Sequence, residues 1–153
     1  MNVINDPRVQ GASVTGSVRA GSAVASEAGK VIKKTVMELG GSDAFIVCED
    51  ADIPGAVAAG IKGRFHNTGQ VCLAAKRFIM VEKIADEFEH LFLESARALR
   101  VGDPLDPASD MGPLARVDLR DSLHEQVKGK SVDRKSTRLN SSHCVTSRMP
   151  SSA

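Results

Sequence analysis

The chain has no tryptophan and no tyrosine; five phenylalanines are its whole aromatic complement. In an enzyme of several hundred residues that would be rare, whereas in a short excerpt of one it is ordinary, so the chain is expected to be a piece of a longer protein. Charge bias is lacking too: 20 basic and 19 acidic residues leave a net charge of +1. Such balance gives no sign of the basic surface that nucleic acid or an anionic membrane would select, and no nucleic-acid partner is expected. No apolar run approaches the ~20 residues that span a bilayer. The segment from Met1 to Pro7 lacks a basic stretch followed by an apolar one, so it does not read as a signal peptide. Only three cysteines are present, Cys48, Cys72 and Cys144, odd in number and widely spaced. That excludes a disulfide framework and makes a reducing cytoplasm the expected location. The histidines stand at no metal-ligating distance in sequence from the cysteines or from each other, and Asp50 and Asp52 lack a third ligand, so no metal is expected. No internal repeat occurs.

What is present is an alternation of strands and helices. Ala12 to Thr15 reads as a strand, turned by Gly16 and Ser17, and Gly21 to Lys34 as a helix ending in a basic pair. Thr35 to Glu38 and Ala44 to Cys48 read as further strands. Asp52 suits an N-cap and Pro54 a first turn; Ile53, Val57, Ile61 and Phe65 then recur every four residues. Gly69 ends that region. Arg77 to Val81 is a fourth strand, Ile84 to Leu99 an amphipathic helix, Gly102 to Pro107 a loop, and Arg116 to Val127 another helix. Strands alternating with helices predict α/β architecture with a parallel sheet.

From about Asp133 the character changes. The segment is rich in Ser and Arg and carries no apolar period. It resembles translated adapter sequence joined to a truncated reading frame. Residues 133–153 are therefore expected to be a disordered, non-native tail.

Three places could carry chemistry. Cys72 follows a Gly69-Gln70 turn. A cysteine attacks as thiolate, so a reactive one needs a setting that favours the anion, and its own N–H can hold a developing oxyanion. Taken alone, it reads more readily as a small buried hydrophobe. Glu38 ends a strand just before Gly40 and Gly41, glycines that let another group approach the backbone. There a carboxylate can take a proton from water, although a surface Glu is the commoner fate. Gly16 to Ser22 has the glycine spacing of a P-loop, but Ser22 stands where the lysine belongs, which disfavours a nucleotide triphosphatase. A glycine-serine turn opening a helix still suits a pyrophosphate. His66, just before the turn, leaves a Cys–His hydrolase open as a reading, although a surface or helix-face histidine is the commoner one.

The order of these segments resembles the aldehyde dehydrogenase superfamily. Glu38-Leu39-Gly40-Gly41 precedes Gly69-Gln70-Val71-Cys72 by some thirty residues, as in that family. Thr15, Gly16, Ser17 and Gly21 match its Thr-Gly-Ser turn, and Asp50 to Asp52, Ala74 to Arg77 and Met111 to Leu114 match further landmarks. The likeness runs from Ile4 to Val127 and is strongest to bacterial NAD(P)-dependent succinate-semialdehyde dehydrogenases. It implies a fragment of that fold: residues 1–40 from the end of a Rossmann-like cofactor domain and residues 41–132 from the start of an α/β catalytic domain. It implies Cys72 as nucleophile and Glu38 as base. Gly16, Ser17 and Gly21 would face the pyrophosphate of NAD or NADP, with Leu39 and Gly40 at its nicotinamide end. The partner implied is a small aldehyde, succinic semialdehyde first, and the full-length enzyme would be a homo-oligomer. An upstream Asn would share the oxyanion with the Cys72 N–H; this chain starts after it, so the piece alone is expected to be inactive. Two departures are local: Ala44 replaces a usual Pro, and Ala74 stands where some relatives carry a second Cys. Two rival readings remain: a Cys-dependent hydrolase or acyltransferase without NAD(P), and a non-catalytic α/β domain with a structural Cys72.

Overall fold

The computed structural model describes residues 3–130, 137–139 and 144–148. They form two compact units, one up to Gly41 and one from Ser42 onward.

The first unit is a βαβ element. Strand β1 (Gly11–Thr15) leads into helix α1 (Val18–Lys30) and then strand β2 (Lys34–Glu38), which pairs parallel to β1 from Gly11↔Lys34 to Thr15↔Glu38. Helix α1 starts where Ser17 can cap it: the Ser17 Oγ accepts from the Ala20 N–H at 3.2 Å. The helix ends four residues before the expected Lys34. Its last turn closes with Lys33 N–H on Ala28 O and Ile32 N–H on Gly29 O, a Schellman arrangement with Ile32 left-handed at φ 54°. Lys33 therefore leaves the helix, and its Nζ donates to the carbonyls of Ile4 and Asp6, both at 2.6 Å.

Glycine usually fills that left-handed site, and a β-branched residue there carries a cost of ~1–2 kcal/mol. Ile32 is 94% exposed, so it gains no burial in return. Ile32→Gly is expected to stabilise the chain by about 0.5–1 kcal/mol after the greater chain entropy of glycine is subtracted. A rise in the urea midpoint at constant slope measures it; a fall refutes it.

The second unit carries the larger core. Strand β3 (Asp43–Val47) pairs parallel to β4 (Ala75–Met80), with Phe45 opposite Phe78 and Val47 opposite Met80. Between them runs α2 (Ile53–Phe65), and after β4 comes α3 (Glu82–Ala98). Asp52 takes the N-cap position of α2, without a side-chain cap bond, and Pro54 lies in the first turn. Val47, Ile53, Val57, Phe78, Met80, Ile84, Phe88 and Phe92 pack together, with Ile61 and Phe65 partly buried against them. Gly60 lets α2 come close: a Cβ there would lie 3.1 Å from Phe78 and 3.3 Å from Phe92. All five phenylalanines join one ring cluster, tightest between Phe78 and Phe92 at 4.9 Å. Helix α4 (Val117–Lys130) leaves Leu119 and Val127 exposed rather than turning a common face inward.

Where disorder is expected over 133–153, the described residues include two strands, β5 (Thr137–Leu139) and β6 (Cys144–Arg148); the remainder of that segment lies outside the described residues. Strand β6 runs antiparallel to β4 and β5 pairs with β6. The physical reason is the edge of β4, whose backbone N–H and C=O groups pair with extended chain whatever its side chains. The second unit's sheet is thus mixed, not purely parallel as expected. Among the described residues no helix is long and apolar enough to cross a membrane.

Candidate active site

In the first unit, the parallel pairing of β1 and β2 ends at Thr15 opposite Glu38. Their carboxyl edge therefore presents Gly16 and Ser17 beside Glu38, Leu39 and Gly40. Ligands of open α/β sheets bind at this edge. The Gly16 N–H donates to the Glu38 carbonyl at 2.9 Å, which pins the two segments together. The N–H groups of Ser17, Val18 and Arg19 meet no acceptor among the described residues, and they head a thirteen-residue helix whose dipole favours an anion. Gly21 is buried beneath this turn because Leu39 occupies its side: a Cβ would lie 2.9 Å from the Leu39 Cδ2 and 3.4 Å from the Met37 Sδ. These residues fit a dinucleotide: free donors for a pyrophosphate, and close packing of helix on strand at Gly21, where a side chain would push Leu39 aside. The five residues expected to face the cofactor, Gly16, Ser17, Gly21, Leu39 and Gly40, thus stand in one unit together with Glu38. The Glu38 side chain is exposed.

The second unit holds Cys72, also exposed. Its setting is a strained turn. After α2 the backbone enters the left-handed region three times running, at Asn67 (φ 50°), Thr68 (φ 60°) and Gly69 (φ 75°). Only the glycine is at ease there; Thr68, being β-branched, is strained. A Cβ on Gly69 would also meet the Arg64 carbonyl and guanidinium at 3.1 Å. Burial lowers the Arg64 pKa from its ordinary value, and its Nη1 is buried with no hydrogen-bond partner among the described residues.

Side chains of the turn hold its shape. The Gln70 Nε2 donates to the Asn67 carbonyl at 3.1 Å, and the Asn67 Nδ2 to the Gln70 carbonyl at 3.4 Å. The segment after Met111 braces it from outside: the Thr68 Oγ1 donates to the Gly112 carbonyl at 3.1 Å, and the Ala115 N–H to the Gln70 Oε1 at 3.1 Å. Beyond, Val71 to Ala74 forms a second turn, closed by the Ala74 N–H on the Val71 carbonyl at 3.1 Å, with Cys72 at its first corner. A cavity of about 510 Å³ opens behind Asn67 and Thr68, lined by Ile61, Phe65, Leu99 and Met111 among others; Cys72 does not line it. His66 caps the end of α2, and among the described residues it makes no hydrogen bond to Cys72. That absence removes the geometric support for a Cys–His hydrolase.

The turn-bound thiol, the glycine-serine helix start and the Glu-Leu-Gly-Gly strand end coincide with one family. The model of the aldehyde dehydrogenase family matches residues 1–138.

The chain belongs to the aldehyde dehydrogenase family.

Among its relatives, a succinate semialdehyde dehydrogenase (NAD(P)+) of Escherichia coli strain K12 is 56% identical over 126 residues, covering 82% of this chain and 27% of that protein. A succinate-semialdehyde dehydrogenase (NADP(+)) of Mycobacterium avium strain 104 is 52% identical over 125 residues, covering 82% of this chain and 26% of that one. The crystal structure of a succinic semialdehyde dehydrogenase from Streptococcus pyogenes, in complex with NADP+, superposes with a TM-score of 0.78 at 42% identity, covering 82% of this chain and 28% of the other. The chain thus spans about a quarter of the length of the aldehyde dehydrogenases it matches. Its α/β architecture is that of part of the aldehyde dehydrogenase fold.

One residue of this aldehyde dehydrogenase segment escapes a search for motifs. Lys76 lies on the inner face of β4 with Phe78 and Met80, and it is 3% exposed. The signal was available: in a strand whose alternate residues are Phe78 and Met80, a lysine at 76 breaks the apolar alternation.

Proposed function

We propose that this segment contributes the nucleophile, the general base and part of the cofactor cradle of an NAD(P)-dependent dehydrogenase acting on succinic semialdehyde. One observation carries the reading: the carboxyl edge of β1 and β2 gathers Glu38 with Gly16, Ser17, Gly21, Leu39 and Gly40, in a chain that also carries an exposed Cys72 on a braced turn. The substrate class is supported by the names of the relatives.

In this reading the Cys72 thiolate attacks the aldehyde carbon and forms a C–S bond, giving a thiohemiacetal. The Cys72 N–H steadies the negative oxygen. Bound at the glycine-serine turn, NAD(P)+ supplies a hydride acceptor. Loss of hydride from the sulfur-bearing carbon leaves a thioester on Cys72. Glu38 then takes a proton from a water as that water attacks the thioester carbon. The C–S bond breaks, Cys72 leaves as thiolate, and the carboxylic acid departs. The free N–H groups of Ser17, Val18 and Arg19 would hold the pyrophosphate, and Gly21 lets Leu39 pack closely against the helix that carries them.

The test exchanges residues 4–127 for the matching segment of the Escherichia coli relative. The chimera is expected to oxidise succinic semialdehyde with formation of NAD(P)H, seen by its absorbance. A folded chimera that binds NAD(P)+ yet oxidises no aldehyde overturns the reading. Release of acyl groups from thioesters by the chimera without any NAD(P)+ requirement for turnover of aldehydes would favour the hydrolase instead.

A further inference from the structure

We propose that Lys76 is a positioning residue that aims the Cys72 N–H as an oxyanion donor; this rests on Cys72 being the nucleophile. Lysine is almost never fully buried without strong partners, because removing an ammonium from water is costly. Here two of the partners are on the nucleophile's own turn. The Lys76 Nζ donates to the Cys72 carbonyl at 3.2 Å and to the Val71 carbonyl at 3.4 Å. The Val71 carbonyl takes a second bond from the Ala74 N–H at 3.1 Å.

The consequence follows from peptide geometry. The Val71–Cys72 peptide bond is trans, since the chain has no cis bond among the described residues. In a trans peptide the C=O and the N–H point in opposite directions. With the Val71 oxygen drawn in by the buried ammonium, the Cys72 N–H must point away from the core. It meets no acceptor among the described residues, and it stands on an exposed cysteine. A free backbone donor fixed beside a thiol is what a developing oxyanion requires. The Lys76 bond to the Cys72 carbonyl holds the other side of the same residue, so both peptides flanking the sulfur are tied to one side chain. Lys76 reaches the chemistry only through them.

Two reactions of the same sulfur separate this role from a merely structural one. Acylation by p-nitrophenyl acetate forms a C–S bond through a tetrahedral oxyanion, which collapses with loss of p-nitrophenolate. Alkylation by iodoacetamide displaces iodide and forms no oxyanion. Both rates are read for Cys72 by peptide mass spectrometry in the 153-residue chain, with the exposed Cys48 as internal reference. Lys76→Met is expected to slow Cys72 acylation about tenfold or more, to leave its alkylation within about twofold, and to leave Cys48 unchanged. Lys76→Arg, which keeps charged donors, is expected to recover most of the acylation rate. Should Lys76→Met fail to fold, Lys76→Gln carries the same comparison. Acylation and alkylation falling together, or neither changing, overturns the proposal. If Cys72 in the unsubstituted chain is acylated no faster than Cys48, the nucleophile reading falls and this proposal with it; an unchanged acylation rate in a chain whose Cys72 does outpace Cys48 overturns the role of Lys76 alone.

Discussion

Cys72→Ser in the chimera is expected to cut NAD(P)H formation by at least about 10³-fold, a loss of ~4 kcal/mol of transition-state stabilisation. Serine keeps the shape of the residue and the backbone donor, so the turn and its bonds to Lys76 should persist. What is lost is the anion: a hydroxyl without an adjacent base is not ionised near neutral pH, and among the described residues His66 makes no hydrogen bond to position 72. NAD(P)+ binding should be unaffected, because the residues proposed to hold it lie in the first unit. Activity surviving this substitution would remove Cys72 from the mechanism altogether.

Glu38→Gln is expected to act later in the cycle. Steady-state turnover should fall by ~10²–10⁴-fold, the range a general base contributes. A rapid first equivalent of NAD(P)H per site should remain, because the thioester forms before water is activated. Rapid mixing resolves that burst, and acyl-Cys72 should accumulate on the protein. A Cys–His hydrolase predicts the opposite, near indifference to Glu38. Loss of burst and turnover in equal measure would mean that Glu38 acts before the thioester, not after it. The substitution should leave the backbone intact, since Glu38 joins the turn through its carbonyl, on which the Gly16 N–H rests.

Much of this segment was legible because local chemistry and tertiary packing agree. The strands ending at Thr15 and Glu38, the four-residue apolar period of α2 and the stripe of α3 all formed where their patterns place them. The exceptions each have a physical cause. Helix α1 stops at Lys30 and not at the Lys33-Lys34 pair because Ile32 takes a left-handed conformation that no Ile announces. Asn67 and Thr68 do the same: Gly69 marks a turn, but the two preceding left-handed residues belong to a turn braced by the Thr68 hydroxyl on the Gly112 carbonyl and the Ala115 N–H on Gln70, partners more than forty residues apart. Strand β6 forms from a segment without an apolar period because a sheet edge recruits backbone, not side chains. The family was legible only from a set of residues. Cys72 alone reads as a small hydrophobe, and Glu38 alone as a surface acid; their order along the chain with the glycines between them made the family visible. The geometry of that turn is not written in any local pattern, whereas the lysine beneath it shows as a break in the apolar alternation of β4.

The single phenylalanine cluster has a practical consequence. All five rings lie in the second unit, and the chain holds no indole or phenol. Near-ultraviolet dichroism and ring-current-shifted methyl resonances will therefore track the unfolding of the second unit while the first stays spectroscopically dark. The same darkness is an advantage at the glycine-serine turn. A reduced nicotinamide bound there would glow against almost no protein emission, with no tryptophan to feed it by energy transfer, and its brightness would report occupancy directly.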